Sequence, residues 1–167
     1  LNAFGVSQQV KVRVIQNNRW DNSQGRVPPT FVRGNGLEYN SENHFIFPGG
    51  KEWRWLDRRS FSLQSERVEK ANYSKKDTKI FVKPDIDRSG QKYVYYQDLN
   101  GMYQVTTFDN INPNWQGDFA TVLFRYLTPN QAPYEGKDLY LFGQLTDYQL
   151  NEAAKMHFNA ETGIYEG

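Results

Sequence analysis

The sequence predicts an all-β fold, and three observations carry the prediction. Aromatic residues make up 16% of the chain, with 11 Tyr, 11 Phe and 4 Trp. Aromatic and β-branched side chains suit a pleated, half-buried surface. Apolar-alternating runs are short, and clusters of Gly, Pro, Asn and Asp interrupt them every ~8–12 residues. Only residues 148–155 have helical character, and they amount to about two turns. Short strands punctuated in this way build a sandwich or a barrel.

Taken in order, residues 10–15 alternate and predict a strand that breaks into the polar Gln16-Asn17-Asn18 cluster. Pro28-Pro29 predicts a loop or edge, because neither nitrogen can donate to a ladder. Phe31-Val32 and residues 37–39 flank a Gly34-Asn35-Gly36 turn. Phe45-Ile46-Phe47 predicts a short strand stopped by Pro48-Gly49-Gly50. Residues 52–63 predict a strand with Trp53, Trp55 and Leu56 available to the core. Residues 68–73 and 80–82 predict two more. Residues 93–99 and 102–108 alternate on either side of Asn100-Gly101. Such a dipeptide marks a two-residue hairpin, since a type I′ turn needs positive φ at both central positions. Asp, Asn and Pro crowd residues 109–114 and predict a boundary there. A new series follows at residues 119–127, 139–143, 156–158 and 164–165, with a loop at 129–136 and a turn at Glu161-Thr162-Gly163.

The composition excludes several functions. A chain of 167 residues holds one ordinary core or two small ones. Charged residues reach 23% but nearly cancel, leaving +1. That balance gives no field for nucleic acid or for an anionic membrane surface. With no cysteine, disulfides and thiolate metal sites are excluded. No apolar run approaches the roughly 20 residues of a membrane-spanning helix.

Candidate chemistry is sparse. Asp85-Ile86-Asp87-Arg88-Ser89-Gly90 opens like a calcium loop, with oxygen ligands at alternate positions and Gly at the bend. Tyr96 stands where the closing bidentate acid belongs, and a polar turn explains the residues as well. His44 and His157 are isolated, without metal-ligand spacing around either. Glu52, Asp57 and Glu69 could form a glycosidase pair only if the fold brought two of them together. Glu52 beside Arg54 reads more simply as an ion pair. Trp20, Trp53, Trp55 and Trp115 raise sugar binding, which needs two or three exposed coplanar aromatics. In a strand Trp53 and Trp55 share one face, and the expectation is that Trp53 is largely buried. No catalytic residue, metal or cofactor is expected.

Three stretches carry a resemblance to a known family. Val12 to Asn22 reads VRVIQNNRWDN, Phe31 to Asn40 reads FVRGNGLEYN, and Phe47 to Asp57 reads FPGGKEWRWLD. This order resembles the plug proteins of the bacterial type 9 secretion system, formerly a domain of unknown function. The matched positions are Gln16, Asn17, Trp20, Asp21, Asn22, Gly34, Asn35, Leu37, Tyr39, Asn40, Phe47, Gly50, Glu52, Trp53 and Arg54. Towards the other end, Phe142, Gly143, Thr146, Met156, Phe158, Asn159, Glu161, Thr162, Gly163, Tyr165 and Glu166 match as well. Gly36 departs from the family's usual Glu, and Lys51 from its usual Asn.

The resemblance implies an immunoglobulin-like β-sandwich over residues 1–111. A truncated early-set immunoglobulin-like β-sandwich would follow over 112–167, the whole being an internal fragment of a longer protein. On that reading the last strand lacks a neighbour, and its open edge packs elsewhere or drives a truncation-induced homodimer. The implied role is non-enzymatic: a periplasmic protein, associated with the outer membrane, that closes the outer-membrane translocon. The alternatives are a carbohydrate-binding β-sandwich module and a structural domain appended to an enzyme.

Overall fold

The computed structural model describes residues 10–40, 45–47, 53–63, 65–74, 76–114 and 117–167. The chain divides into two compact units, Leu1–Lys51 and Glu52–Gly167. Both are built from strands and irregular segments. Helix among the described residues is confined to two single 3-10 turns, Gln144–Thr146 and Glu152–Ala154.

In the first unit, β1 (Val12–Val14) pairs antiparallel with β2 (Gln24–Val27), with a bulge between Val12 and Arg13. The polar cluster after β1 turns as expected: Asn17 and Asn18 both adopt positive φ, and the Arg19 amide donates to the Gln16 carbonyl at 3.1 Å. Asn tolerates this left-handed region better than most residues. A second hairpin joins β3 (Phe31–Arg33) to β4 (Gly36–Glu38) through Gly34-Asn35. Pro28-Pro29 lies in the loop before it, with Pro29 buried. Phe45, Ile46 and Phe47, expected as a strand, are irregular here.

The second unit holds two sheets. One has the order β5-β6-β8, from β5 (Val68–Asn72), β6 (Lys79–Val82) and β8 (Thr121–Leu123). The other contains β7 (Asp85–Ile86), β9 (Arg125–Leu127), β10 (Leu139–Tyr140), β11 (Lys155–Asn159) and β12 (Ile164–Glu166). Its order is β10-β11-β12-β9-β7. β6 runs parallel to β8, and β7 parallel to β9. Parallel neighbours require a long crossover, here residues 83–120 between β6 and β8 and 87–124 between β7 and β9. These pairings join strands on both sides of the boundary expected at 109–114 within one compact unit. The core centres on Ile80, only 1% exposed, with Val82, Met156, Ala154 and Tyr165 also buried.

Three further expectations need correction. β12 is not an open edge: it lies between β11 and β9, paired on both sides. The described residues 53–63 form no strand. Their backbone is held instead by side chains, as when the Arg59 amide donates to Asp57 at 3.1 Å. At residues 93–108 only the turn is present. Asn100 and Gly101 have φ of 53° and 79°, and the Met102 amide donates to the Leu99 carbonyl at 2.9 Å. The arms on either side run on without a ladder between them.

Candidate functional site

The most elaborate constellation in the second unit is an aromatic corner around Trp53. Phe142 stacks on the Trp53 indole with ring centroids 6.1 Å apart and planes 9° from parallel. Tyr148 meets both rings edge-on, at 6.2 Å from Trp53 and 5.9 Å from Phe142. Edge-on and offset pairs of this kind satisfy the ring quadrupoles. The Asn100-Gly101 turn closes the corner. The Gln144 amide donates to the Gly101 carbonyl at 2.8 Å, and the Tyr148 hydroxyl to the Asn100 carbonyl at 3.2 Å. The Tyr103 amide returns a bond to Gln144 Oε1 at 3.0 Å. Thr146 Oγ1 donates to the Gly143 carbonyl at 3.0 Å and shapes the bend that presents Phe142. Trp53 keeps only a minor part of its surface exposed, in line with the expectation that it is largely buried, and Phe142 is 41% exposed. The corner therefore presents the aromatic surface of Phe142, while its backbone amides are engaged within it.

Beside Trp53 in sequence, Arg54 Nε lies 2.5 Å from Asp85, whose carboxylate also accepts from Arg88 at 2.8 Å. Asp87 accepts the Ser89 amide at 2.7 Å and the Ser89 hydroxyl at 2.9 Å. The carboxylates of the calcium-like stretch are thus engaged by guanidinium, amide and hydroxyl donors. No group of three or more His, Cys, Asp or Glu among the described residues is placed to hold a metal. His157 is exposed on β11. His44 lies outside the described residues. Of the three acids considered as a glycosidase pair, Asp57 is bound by Arg59 at 2.5 Å and Glu69 pairs with Arg125. Glu52 lies outside the described residues.

Trp53 and Trp55 lie in no strand and so share no strand face. Trp55 is 43% exposed with the Arg67 guanidinium 4.7 Å above its ring, and Trp20 is 66% exposed in the first unit. Trp115 lies outside the described residues. The family-like motifs of the first unit form two separate turns. In one, Arg19 binds Asp21 at 2.5 Å. That side-chain hydrogen bond, aided by charge, holds the Asp21 carboxyl below its ordinary range. Asn22 and Gln24 follow, linked by a bond of 3.4 Å from the Gln24 side-chain Nε2 to the Asn22 backbone carbonyl. In the other, Gly34 and Asn35 make the hairpin turn and Leu37 lies on β4. Tyr39 and Asn40 come next, the Asn40 amide donating to Thr30 Oγ1 at 3.2 Å. Phe47 is half-buried in an irregular segment, and Gly50 lies outside the described residues.

Two polar assemblies brace the second unit. Asp109 accepts from Ser60 Oγ at 2.6 Å, the Phe61 amide at 2.7 Å and Ser62 Oγ at 2.7 Å. These donors favour the charged form and hold the carboxyl down at about 2. The second is a row of tyrosines. Tyr126 and Tyr134 share a hydroxyl–hydroxyl bond of 3.0 Å, and the Tyr165 hydroxyl accepts the Tyr134 amide at 3.0 Å. Burial, then the bond to Tyr134, raises the Tyr126 phenol well above its ordinary range.

Reasoning from residues alone singled out Trp53 but not the groups that meet it. The signals were present: Asn100-Gly101 marked the turn, and Phe142, Gly143 and Thr146 belonged to the family-like stretch. Their convergence is tertiary and left no local trace.

No family model and no curated relative matches the chain. Among solved structures, it is similar to a hypothetical protein from Parabacteroides merdae ATCC 43184. The two superpose with a TM-score of 0.77 at 29% identity, over 94% of this chain. The chain spans 39% of the length of that protein.

Proposed function

We propose that this chain belongs to a non-enzymatic periplasmic protein that associates with the outer-membrane translocon of the type 9 secretion system and closes its pore. The observation that carries the reading is the ordered run of family-like motifs from Gln16 to Arg54 and from Phe142 to Glu166. Its placement agrees with a binding role. Among the described residues the motifs fall on turns, on strands β4, β11 and β12, and on the aromatic corner. We further read residues 1–111 as an immunoglobulin-like β-sandwich and residues 112–167 as an early-set-like β domain, a finer division than the all-β architecture itself. Large exposed side chains such as Tyr95, Tyr96, Phe119 and Leu145 supply the apolar contact that a protein partner requires. The test is affinity purification of the full-length protein from solubilised outer membranes of its own bacterium. The translocon subunit should co-purify, and its absence from the eluate would reject the proposal.

A carbohydrate-binding module is the second reading. The exposed part of the Phe142 ring at the aromatic corner is what favours it. Retardation of the protein in polysaccharide-containing gels, lost on Phe142→Ala, would support that reading over the first.

A further inference from the structure

The turn at Asn100-Gly101 has hairpin geometry, yet the arms it joins are open. Both central residues have positive φ, and the closing bond from the Met102 amide to the Leu99 carbonyl is in place. Beyond it, no hydrogen bond joins residues 93–98 to residues 103–108. The arms are strand-like in composition, and Tyr93, Val94, Tyr95, Tyr96, Tyr103 and Val105 are all more than half exposed.

The bonds these arms make elsewhere follow a parity. In a two-residue hairpin closed at Leu99 and Met102, alternate amides point inward to the partner arm and the others point outward. Inward on the second arm are the amides of residues 104, 106 and 108; outward are those of 103, 105 and 107. The two outward amides of Tyr103 and Thr107 are the ones already engaged, with Gln144 Oε1 at 3.0 Å and the Pro113 carbonyl at 2.8 Å. The carbonyls that dock the turn, Asn100 and Gly101, are also ones a closed hairpin leaves unused. Only the Phe108 amide breaks the pattern, because it donates to the Arg59 carbonyl at 2.7 Å.

We propose that residues 94–107 are a strap that closes into an antiparallel ladder while its turn stays docked beside Trp53. The register is set by the turn: Gln97 faces Gln104 and Tyr95 faces Thr106 as hydrogen-bonded pairs. Tyr96 faces Val105 as a non-hydrogen-bonded pair, an aromatic and β-branched combination that stabilises sheets. The Phe108–Arg59 bond ends the ladder, since it removes the next inward donor. Closure keeps every bond the turn now makes and satisfies backbone groups that are otherwise left to water.

Amide hydrogen exchange of the unaltered chain, read residue by residue, tests this. The amides of Tyr95, Gln97, Gln104 and Thr106 should exchange at least about tenfold more slowly than those of Tyr96 and Val105. Equal protection of the two sets would overturn the proposal. A second test uses the absence of native cysteine. Tyr96→Cys with Val105→Cys should oxidise to an intramolecular disulfide, since such pairs sit at bridging distance. Tyr96→Cys with Gln104→Cys places the thiols on opposite faces and should not. Equal yields from the two pairs would equally overturn it.

Discussion

The indole of Trp53 occupies the space that a side chain on Gly101 would need. A Cβ built there would fall 2.5 Å from Cζ3 of the ring, on a residue whose φ is +79°. The aromatic corner and the turn are therefore fitted to each other. Gly101→Ala adds left-handed strain to overlap with a ring held on its other sides by Phe142 and Tyr148. It should destabilise the unit by roughly 2–4 kcal/mol in denaturant titration. Gly136→Ala is the control: φ is +63° but nothing lies within 4 Å of its Cβ position. It should cost only about 1 kcal/mol.

The Tyr165 hydroxyl is the acceptor for the Tyr134 amide, in a side chain only 5% exposed. Tyr165→Phe keeps the packing against Phe158, whose ring centroid lies 5.1 Å away, but strands the amide. The loss should be about 1–2 kcal/mol, read as a lower denaturation midpoint at unchanged slope. Tyr140→Phe removes a long, exposed bond to Glu152 of 3.4 Å and should change stability by less than about 0.5 kcal/mol.

Asp109 makes the fold acid-sensitive in a defined window. Its folded pKa of about 2 lies below the ordinary 3.8, because two serine hydroxyls and the Phe61 amide favour the carboxylate. The unfolded chain therefore takes up the proton first as pH falls. The stabilisation is complete above pH ~4 and lost on descent towards pH ~2. Asp109→Asn should lower stability at neutral pH and flatten the stability profile between those limits. An unchanged slope there would show that Asp109 does not control it.

Local chemistry made part of the fold legible. The β3–β4 hairpin was readable because Gly34-Asn35 supplies the turn between alternating runs. β9 was readable from the apolar alternation of residues 119–127, and β5, β6 and β12 as short runs set off by turn residues. β2 was not, because Gln24-Gly25-Arg26-Val27 has little strand propensity and exists by pairing with β1. β7 was hidden inside an Asp-rich stretch that resembles an ion-binding loop. The parallel pairs β6–β8 and β7–β9 have no local signature at all. Trp53 and Trp55 misled in the other direction. Their alternation suggests a strand, but stacking with Phe142 and the Arg67 guanidinium fix them without one. At the candidate site, the aromatic and the turn were each visible, and only their meeting was not.

Closure of the translocon pore, proposed for the full-length protein, can be tested directly. The direct measurement is entry of a bulky, normally excluded dye into the periplasm of cells lacking the full-length protein. Entry should rise on its deletion, and removing the translocon as well should restore the barrier. Unchanged entry in the single deletion, with the translocon present and assembled, would contradict the account.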